Sequence, residues 1–441
     1  MHNATDDRVF LFLQGPHGPF FRQLATMLRQ AGATVWRVGF NAGDKAFWLG
    51  SPGYIAYRDG PEDWPDRLRA LVAEKAVTDI VLYGDVRPVH AAAVAYAKEA
   101  GLRVHVFEEG YMRPYWVTYE RGGSNGHSRL MALSVAKMRR TLREDADASM
   151  PPAHWGDMRQ HVFYGALYHG AVMLLNHSYA GFTPHRGVRV WDEFRLYLRR
   201  LVLMPATALR RMMATRRIRR GSYPYHLALL QLEHDSSFQR HSPFDTQSQF
   251  VDLVVRGFAK GAPGHHHLVF KAHPLEDGRG DVAGAIARAA KSFGVEDRVH
   301  YLPGGKLAAL LDHATSAVTV NSTAAQQALW RGLPVKAFGD AVYAKAPLVS
   351  SQPLPQFFSR PKAPNRRAYR DYRRFLLATS QIGGGFYSAN GRQQLLRGIV
   401  DKMLCAADPY DAINSRTAAP PQHLTPVRSA PRAAGLAFPS I

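Results

Sequence analysis

The sequence predicts an α/β protein with parallel sheets, built as two halves of similar architecture, and three observations lead there. Short apolar runs that read as strands alternate with helix-period stretches through most of residues 8–345. These runs empty into loops rich in Gly, Pro, Asn, Asp or Ser, as expected where a parallel strand hands over to a helix. The length of 441 residues suits two or three domains, and 46% hydrophobic residues is ordinary for globular cores.

Taken in order, Arg8 to Leu13 is a strand, followed by Gly15-Pro16-His17-Gly18-Pro19 and a helix from Phe20 to Gln30. Thr34 to Phe40 is a second strand with the polar loop Asn41-Ala42-Gly43-Asp44. This β-α-β opening lacks the G-x-G-x-x-G fingerprint, so it is not read as a dinucleotide site. Trp64 to Lys75 is helical, Asp79 to Tyr83 is a strand ending in Gly84-Asp85-Val86-Arg87-Pro88, and His90 to Glu99 is a helix. Strand Arg103 to Phe107 then delivers Glu108 and Glu109, with Arg113, Glu120, Arg121, Asn125, His127, Ser128 and Arg129 in the polar loops beyond. Residues 131–220 read as a helical, basic elaboration that completes a first domain of residues 1–220.

The second domain, residues 221–380, opens with strand His226 to Leu232 and helix Gln247 to Lys260. It is organised around the run from His267 to Lys336, where strand Leu268 to Phe270 ends in Lys271-Ala272-His273-Pro274. A helix from Leu307 and a strand Ala317 to Val320 follow. That strand runs into Asn321-Ser322-Thr323 and a helix, Ala324 to Arg331. Residues 381–413 form closing helices expected to pack back on the first domain. Residues 414–441, rich in Pro, Ala, Arg and Ser without periodicity, form an expected disordered tail.

In parallel sheets ligands bind beyond the carboxyl ends of the strands, which is where His273 and the Asn-Ser-Thr turn fall. Ser322 and Thr323 are helix-capping types with unpaired amides expected behind them, together a natural phosphate seat. His273 facing that seat would hold the same phosphate. In the first half the adjacent carboxylates Glu108 and Glu109 stand out. On an extended chain their side chains diverge, so one of them faces a given pocket: Glu109, nearer the loop, is the first candidate for chemistry, and Glu108 is either a structural acceptor or the alternative nucleophile. Three consecutive histidines, His265 to His267, alternate faces on a strand and cannot chelate a metal together; they read as surface residues.

The single Cys405 excludes internal disulfides and suggests a reducing compartment. No secretory signal is visible, and the apolar stretch Leu201 to Leu209 is too short to span a bilayer. A formal charge of +21 calls for an anionic partner. Zinc spacings, aromatic RNA-binding strands and basic-zipper repeats are absent, so nucleic acid is not expected. Much of the charge sits at Arg195, Arg199, Arg200, Arg210, Arg211, Arg216, Arg217, Arg219 and Arg220, interleaved with Leu, Met and Tyr. That pattern suits a helix on an anionic bilayer, and equally a solvated basic helix or linker.

Several blocks resemble the capsule polysaccharide biosynthesis and export family of Gram-negative bacteria, most closely its KpsS/LipB branch of β-Kdo glycosyltransferases. They are GPHGPFF (Gly15 to Phe21), FNAGD (Phe40 to Asp44), LYGDVRP (Leu82 to Pro88), FEEGYMRPYWVTYE (Phe107 to Glu120) and SNGHS (Ser124 to Ser128). KAHPLEDG (Lys271 to Gly278) and NSTAAQQALWRGLPVKAFGDAVY (Asn321 to Tyr343) complete the set. The resemblance implies a GT-B-like fold, two doubly wound Rossmann-type domains facing a cleft, with the nucleotide on the second. It implies retaining, metal-independent transfer of Kdo from CMP-Kdo to a lysophosphatidylglycerol-type lipid, initiating the linker of an exported capsule. The D-x-D triplet of metal-dependent transferases occurs only at Asp145-Ala146-Asp147, away from the candidate pocket. Retention by two displacements needs a carboxylate nucleophile. Glu109 matches it by position, one methylene longer than the Asp of the related Glu-Asp-Gly motif. Lys271, His273, Pro274, Asn321, Ser322 and Thr323, with Asp85, Arg87 and Arg113, are then expected on the donor side. Gly15, His17, Asn41, Asp44, Asn125 and Ser128 are expected on the acceptor loops. The implied location is the cytoplasmic face of the inner membrane, beside the capsule export and synthesis machinery. Two other readings use the same features: a phosphotransferase acting on a CDP-alcohol, and a non-catalytic scaffold docking on the membrane through its basic surface.

Overall fold

The computed structural model describes residues 7–112, 115–142, 158–179, 181, 191, 195, 203–233, 235–274, 276 and 280–414. Five parallel strands form the body of a first sheet: β1 (Val9–Phe12), β2 (Thr34–Gly39), β3 (Tyr54–Ala56), β4 (Asp79–Tyr83) and β5 (Arg103–Glu109). β6 (Trp116–Arg121) adds to β5 in antiparallel register, Glu109 opposite Val117. A second sheet holds β7 (Tyr225–Leu229), β8 (His267–Lys271), β9 (Val299–Leu302), β10 (Ala314–Thr319) and β11 (Val335–Ala337), all parallel. β12 (Gln381–Gly383) returns to the first sheet and pairs antiparallel with β6. The strand orders are β12-β6-β5-β4-β1-β2-β3 and β11-β10-β7-β8-β9. Both sheets are doubly wound, reversing beside their first strands, between β1 and β4 and between β7 and β10.

Each strand forms where an apolar run can be covered on both faces. β1 places Phe10 and Phe12 in one core and Leu11 in the other, and all three are fully buried. Gly32 with φ +93 and Gly101 with φ +70 turn the chain from helix into strand where a side chain would be strained. The helix Ala389–Leu404 packs on helix Phe20–Gln30, so the end of the described chain closes the first lobe. Arg121 Nη2 donates to Lys402 O at 2.9 Å and Cys405 O at 2.6 Å, satisfying that helix's terminal carbonyls. At the amino end of the sheet Arg8 forks onto Asp79 at 2.7 and 2.5 Å, and His105 bonds the same carboxylate at 2.7 Å. Burial alone would raise the Asp79 pKa, but the His105 and Arg8 bonds outweigh it and hold the carboxyl well below the usual range.

β6 departs from the expectation that Glu120 and Arg121 lie in a loop. Its alternating Thr118 and Glu120 are polar yet buried, because β12 and Tyr410 cover that face. The histidine run also departs from a plain surface reading. His266 Nδ1 lies 3.0 Å from His226 Nε2, and His267 Nδ1 lies 2.8 Å from His300 Nε2. Their faces alternate as expected, but partners on neighbouring strands half-bury them. The expected tail beyond Asn414, which itself ends the helix Pro409–Asn414, lies outside the described residues, as do the Asp145-Ala146-Asp147 triplet, Arg113, Arg199 and Arg200.

One apolar core joins the lobes. Tyr111, Met112, Trp116 and Leu130 of the first pack with Leu227, Val269, Leu310 and Leu329 of the second. At ~1.5–3 kcal/mol for each large apolar side chain buried, such a core outweighs any single surface ion pair between the lobes.

Candidate active site

The carboxyl-end loops of the two sheets meet. Gln326, on the helix after β10, donates from Nε2 to Tyr111 O, two residues beyond Glu109, at 2.8 Å. His241, in the segment after β7, lies edge-on to His127 of the loop after β6, with ring centroids 5.0 Å apart. A Cβ on Gly126 would come within 2.2 Å of His241 Nδ1, so the lobes touch there without room for a side chain.

At the β5 end the carboxylates separate as the extended chain requires. Glu108 Oε1 accepts from the Glu109 amide at 3.3 Å, and Glu108 Oε2 would sit 3.1 Å from a Cβ on Gly84. Glu108 is therefore folded back against β4 as a structural acceptor. Glu109 is half-buried, and among the described residues its carboxylate makes no hydrogen bond or ion pair. Tyr387, following β12, lies within its field; burial and then Glu109 raise that phenol's pKa, opposed by Arg87. Arg87 reaches Gln14 Oε1 at 3.5 Å and lies over the Tyr83 ring at 5.7 Å. Glu109, Arg87, Tyr83 and Tyr387 thus form one polar mouth beside the β1–β4 reversal.

On the facing lobe, Lys271 ends β8 and is only 6% exposed. Its ammonium donates to Ala272 O at 3.2 Å and pairs with no carboxylate among the described residues. Burial, with Arg211 adding to it, lowers its pKa to about 8. A buried cation without an internal anion is costly unless an external anion completes it. His273 is half-buried two residues on, at the same strand end. Ser322 Oγ accepts from Ala324 N at 3.3 Å, and the amides of Ala325 and Gln326 bond to Ser322 O and Thr323 O. The expected seat of free amides behind Ser322 and Thr323 is therefore smaller than the sequence suggests, because a tight turn uses those donors. The helix is Ala325–Trp330, with no side-chain cap.

Several expected ligand residues are bonded within the fold. Asn321 accepts from Gln231 Nε2 at 2.6 Å and donates to His241 O at 3.0 Å, locking the loops after β7 and β10 together. Pro274 is exposed, and its carbonyl accepts from Arg211 Nη2 at 3.3 Å. Asp85, expected on the donor side, is buried. It accepts from Ser124 N at 2.8 Å and His127 Nδ1 at 3.1 Å, so it shapes the loop after β6. Asn41 caps the helix Ala42–Ala46 through Asp44 N at 2.9 Å and donates to Tyr168 OH at 2.7 Å. Asp44 is paired with Arg37 at 3.2 Å and accepts from Phe40 N at 3.0 Å and Gln14 Nε2 at 3.2 Å. Asn41 and Asp44 are both buried, where the helix Met158–Leu175 packs on the helix Ala42–Ala46. His17 stacks on Tyr168 with centroids 4.4 Å apart, and a Cβ on Gly15 would strike the Phe21 ring at 2.5 Å. Ser128 Oγ donates to Glu120 Oε1 at 2.9 Å, and Asn125, at φ +52, donates its amide to Tyr111 OH at 2.6 Å.

Sequence reasoning missed Gln326 and Tyr111, whose hydrogen bond connects the two rims, and Tyr387 beside Glu109. Arg211, expected only as part of the basic stretch, reaches the loops after β8 and β9. Gln326 carried a signal: a polar residue set in the helix among the apolar Ala325, Ala328 and Leu329.

Comparison with known proteins agrees with these blocks. The family profile described as capsule polysaccharide biosynthesis protein matches residues 78–387. The capsule polysaccharide export protein KpsS of Escherichia coli is 31% identical over 392 residues, covering 86% of this chain and 97% of that protein. The capsule polysaccharide modification protein LipB of Neisseria meningitidis serogroup B is 28% identical, covering 86% of this chain and 91% of its own. Among solved structures, the KpsC beta Kdo 2,7 transferase of Thermosulfurimonas dismutans aligns over 89% of this chain and 99% of its own. Its TM-score is 0.41 at 13% identity. With the profile spanning more than half of the chain and the E. coli protein alike over nearly its whole length, this chain belongs to the capsule polysaccharide biosynthesis protein family.

Proposed function

We propose that this capsule biosynthesis protein is a retaining glycosyltransferase that moves β-Kdo from CMP-Kdo to a lysophosphatidylglycerol-type lipid. The observation that carries the reading is the pairing of two rims. Among the described residues, a half-buried carboxylate without an internal partner, Glu109, ends β5, and a buried ammonium without an internal anion, Lys271, ends β8. The Tyr111–Gln326 bond ties the two loops together. Lys271, His273, Ser322 and Thr323 hold the CMP phosphate, and no metal takes part. The Glu109 carboxylate attacks the anomeric carbon while the bond to the phosphate oxygen breaks, and CMP leaves with that electron pair. Arg87 receives the sugar's own carboxylate in fork geometry. The acceptor hydroxyl then attacks the glycosyl-enzyme, loses its proton and regenerates Glu109, so the anomeric configuration is retained after two inversions.

An anionic lipid acceptor places the work at the cytoplasmic face of the inner membrane. There the arginine-rich stretch of residues 195–220 meets phosphate headgroups, beside the capsule export and synthesis machinery. The test is direct. Purified protein is incubated with CMP-Kdo and lysophosphatidylglycerol, and the lipid product is read by mass. A lipid heavier by one or more Kdo units supports the reading. A phosphodiester product, or CMP-Kdo left intact with every lipid acceptor, overturns it.

A further inference from the structure

The helix Met204–Arg220 has two faces of different chemistry. Its inner face carries Arg211, Thr215 and Ile218, spaced to meet one surface, and Ile218 is 3% exposed within the core shared by the lobes. Arg211 Nε donates to Pro303 O at 3.0 Å, and Nη2 donates to Pro274 O at 3.3 Å. One guanidinium thus spans the loops after β8 and β9. The receiving turn is shaped for it. Gly304 and Gly305 have φ of +143 and +111, and a Cβ would come within 2.7 Å of Arg211 Nε and 2.2 Å of Thr215 Oγ1, respectively. The outer face interleaves Leu209, Met212 and Met213, which are 51%, 42% and 54% exposed, with the exposed Arg210, Arg216, Arg217, Arg219 and Arg220. The helix contains no Asp or Glu. Apolar side chains set among guanidiniums, with no acidic residue on the same helix, complement an anionic bilayer surface, where the chains enter the acyl boundary and the cations meet phosphates.

The same Arg211 that fastens this helix reaches the residue immediately after His273. We infer that the helix is a coupling strut. Docking of its outer face on an anionic bilayer steadies the Pro274 and Pro303 loops through Arg211, and so tightens binding of a cytidine nucleotide at Lys271, His273 and Ser322. The inference rests on the donor-site reading above. Coupling of this kind requires that the membrane prefer the state in which the strut is seated, and it is reciprocal: the nucleotide then tightens membrane binding by the same factor.

The experiment uses full-length protein with CMP as the probe. Affinity is measured in buffer, with phosphatidylcholine vesicles, and with vesicles containing about one-third phosphatidylglycerol. Wild-type protein binds CMP at least about fivefold more tightly with the anionic vesicles and is unmoved by the neutral ones. Arg211→Lys keeps a charge beside Lys271 but replaces the planar fork that spans two carbonyls. It sediments with anionic vesicles as wild type does and loses the CMP enhancement, and Arg211→Ala does the same. A thermal melt of each variant separates loss of coupling from loss of fold. Equal CMP affinity of the wild type with and without anionic vesicles overturns the inference alone, as does full enhancement in Arg211→Lys. Absence of CMP binding under every condition overturns the donor-site reading and this inference with it.

Discussion

The two rims that face one another spend their polar groups differently. On the first lobe Asn41, Asp44, Asp85 and Ser128 bond to residues of their own lobe, and Asp44 alone holds Arg37, Phe40 N and Gln14. On the second, Lys271 is buried and, among the described residues, its ammonium bonds only a backbone carbonyl. The contrast teaches that a motif rich in polar residues is as often scaffolding as site. What distinguishes a candidate ligand-binding group is an unbalanced charge, since a buried charge without an internal partner carries a desolvation cost that a ligand removes.

Substitutions can break that comparison. Glu109→Ala carries the largest expected effect: transfer of sugar falls at least about a thousandfold while the melting temperature stays within a few degrees. Normal turnover in that variant would remove Glu109 from the chemistry. Asp44→Ala should act in the opposite sense. It leaves the Arg37 guanidinium buried and uncompensated, so denaturant unfolding should show a loss of roughly 3–5 kcal/mol, with CMP affinity unchanged in the protein that remains folded. A stable Asp44→Ala protein that no longer accepts lipid would return this residue to the acceptor site.

Lys271→Met sharpens the other half. CMP affinity should drop by about 10- to 100-fold, a loss of the order expected when a charge-assisted hydrogen bond is removed. Thermal stability should hold or rise, because a neutral chain of similar length avoids desolvation. The pH dependence has a definite direction. The ammonium is charged below its lowered pKa of about 8, so CMP binding weakens as pH rises through 8, and the Met variant lacks that limb. Free protein shows the converse. The unfolded chain binds more protons between about 8 and the ordinary 10.5, so stability rises with pH across that window. Gln326→Leu is the smallest change. It removes one bond between the lobes and leaves Tyr111 O unpaired, for about 1–2 kcal/mol by unfolding.

The strand-and-loop grammar is legible in the amino-acid sequence. β4, β5 and β8 lie within two residues of the apolar runs that predict them, because burial on both faces of a parallel sheet demands such runs. β6 is not read as a strand although Val117-Thr118-Tyr119-Glu120 alternates apolar and polar, because a half-buried strand there would leave Thr118 and Glu120 facing solvent while the structure buries them. Those polar groups are tolerated because Gln381 donates to Thr118 at 3.0 Å and Tyr410 to Glu120 at 2.9 Å, partners more than 260 residues away in sequence. Within the candidate site, the strand-end positions of Glu109, Lys271 and His273 were legible, while the uses of Asp85, Asn41 and Asn321 were not. A side chain's chemistry is local information, but whether a neighbour has already satisfied it depends on which loops meet.

By itself, then, the amino-acid order determined two alternating α/β halves, where their strands end, a conspicuous acidic pair and a strongly basic stretch. Tertiary structure alone decided that, among the described residues, the Glu109 carboxylate and the buried Lys271 ammonium have no internal partner of opposite charge, and that Arg211 joins the basic helix to the facing rim. The reason is that hydrophobic periodicity is written at short range along the chain. Hydrogen-bond satisfaction and desolvation are settled between groups that only the folded chain brings together.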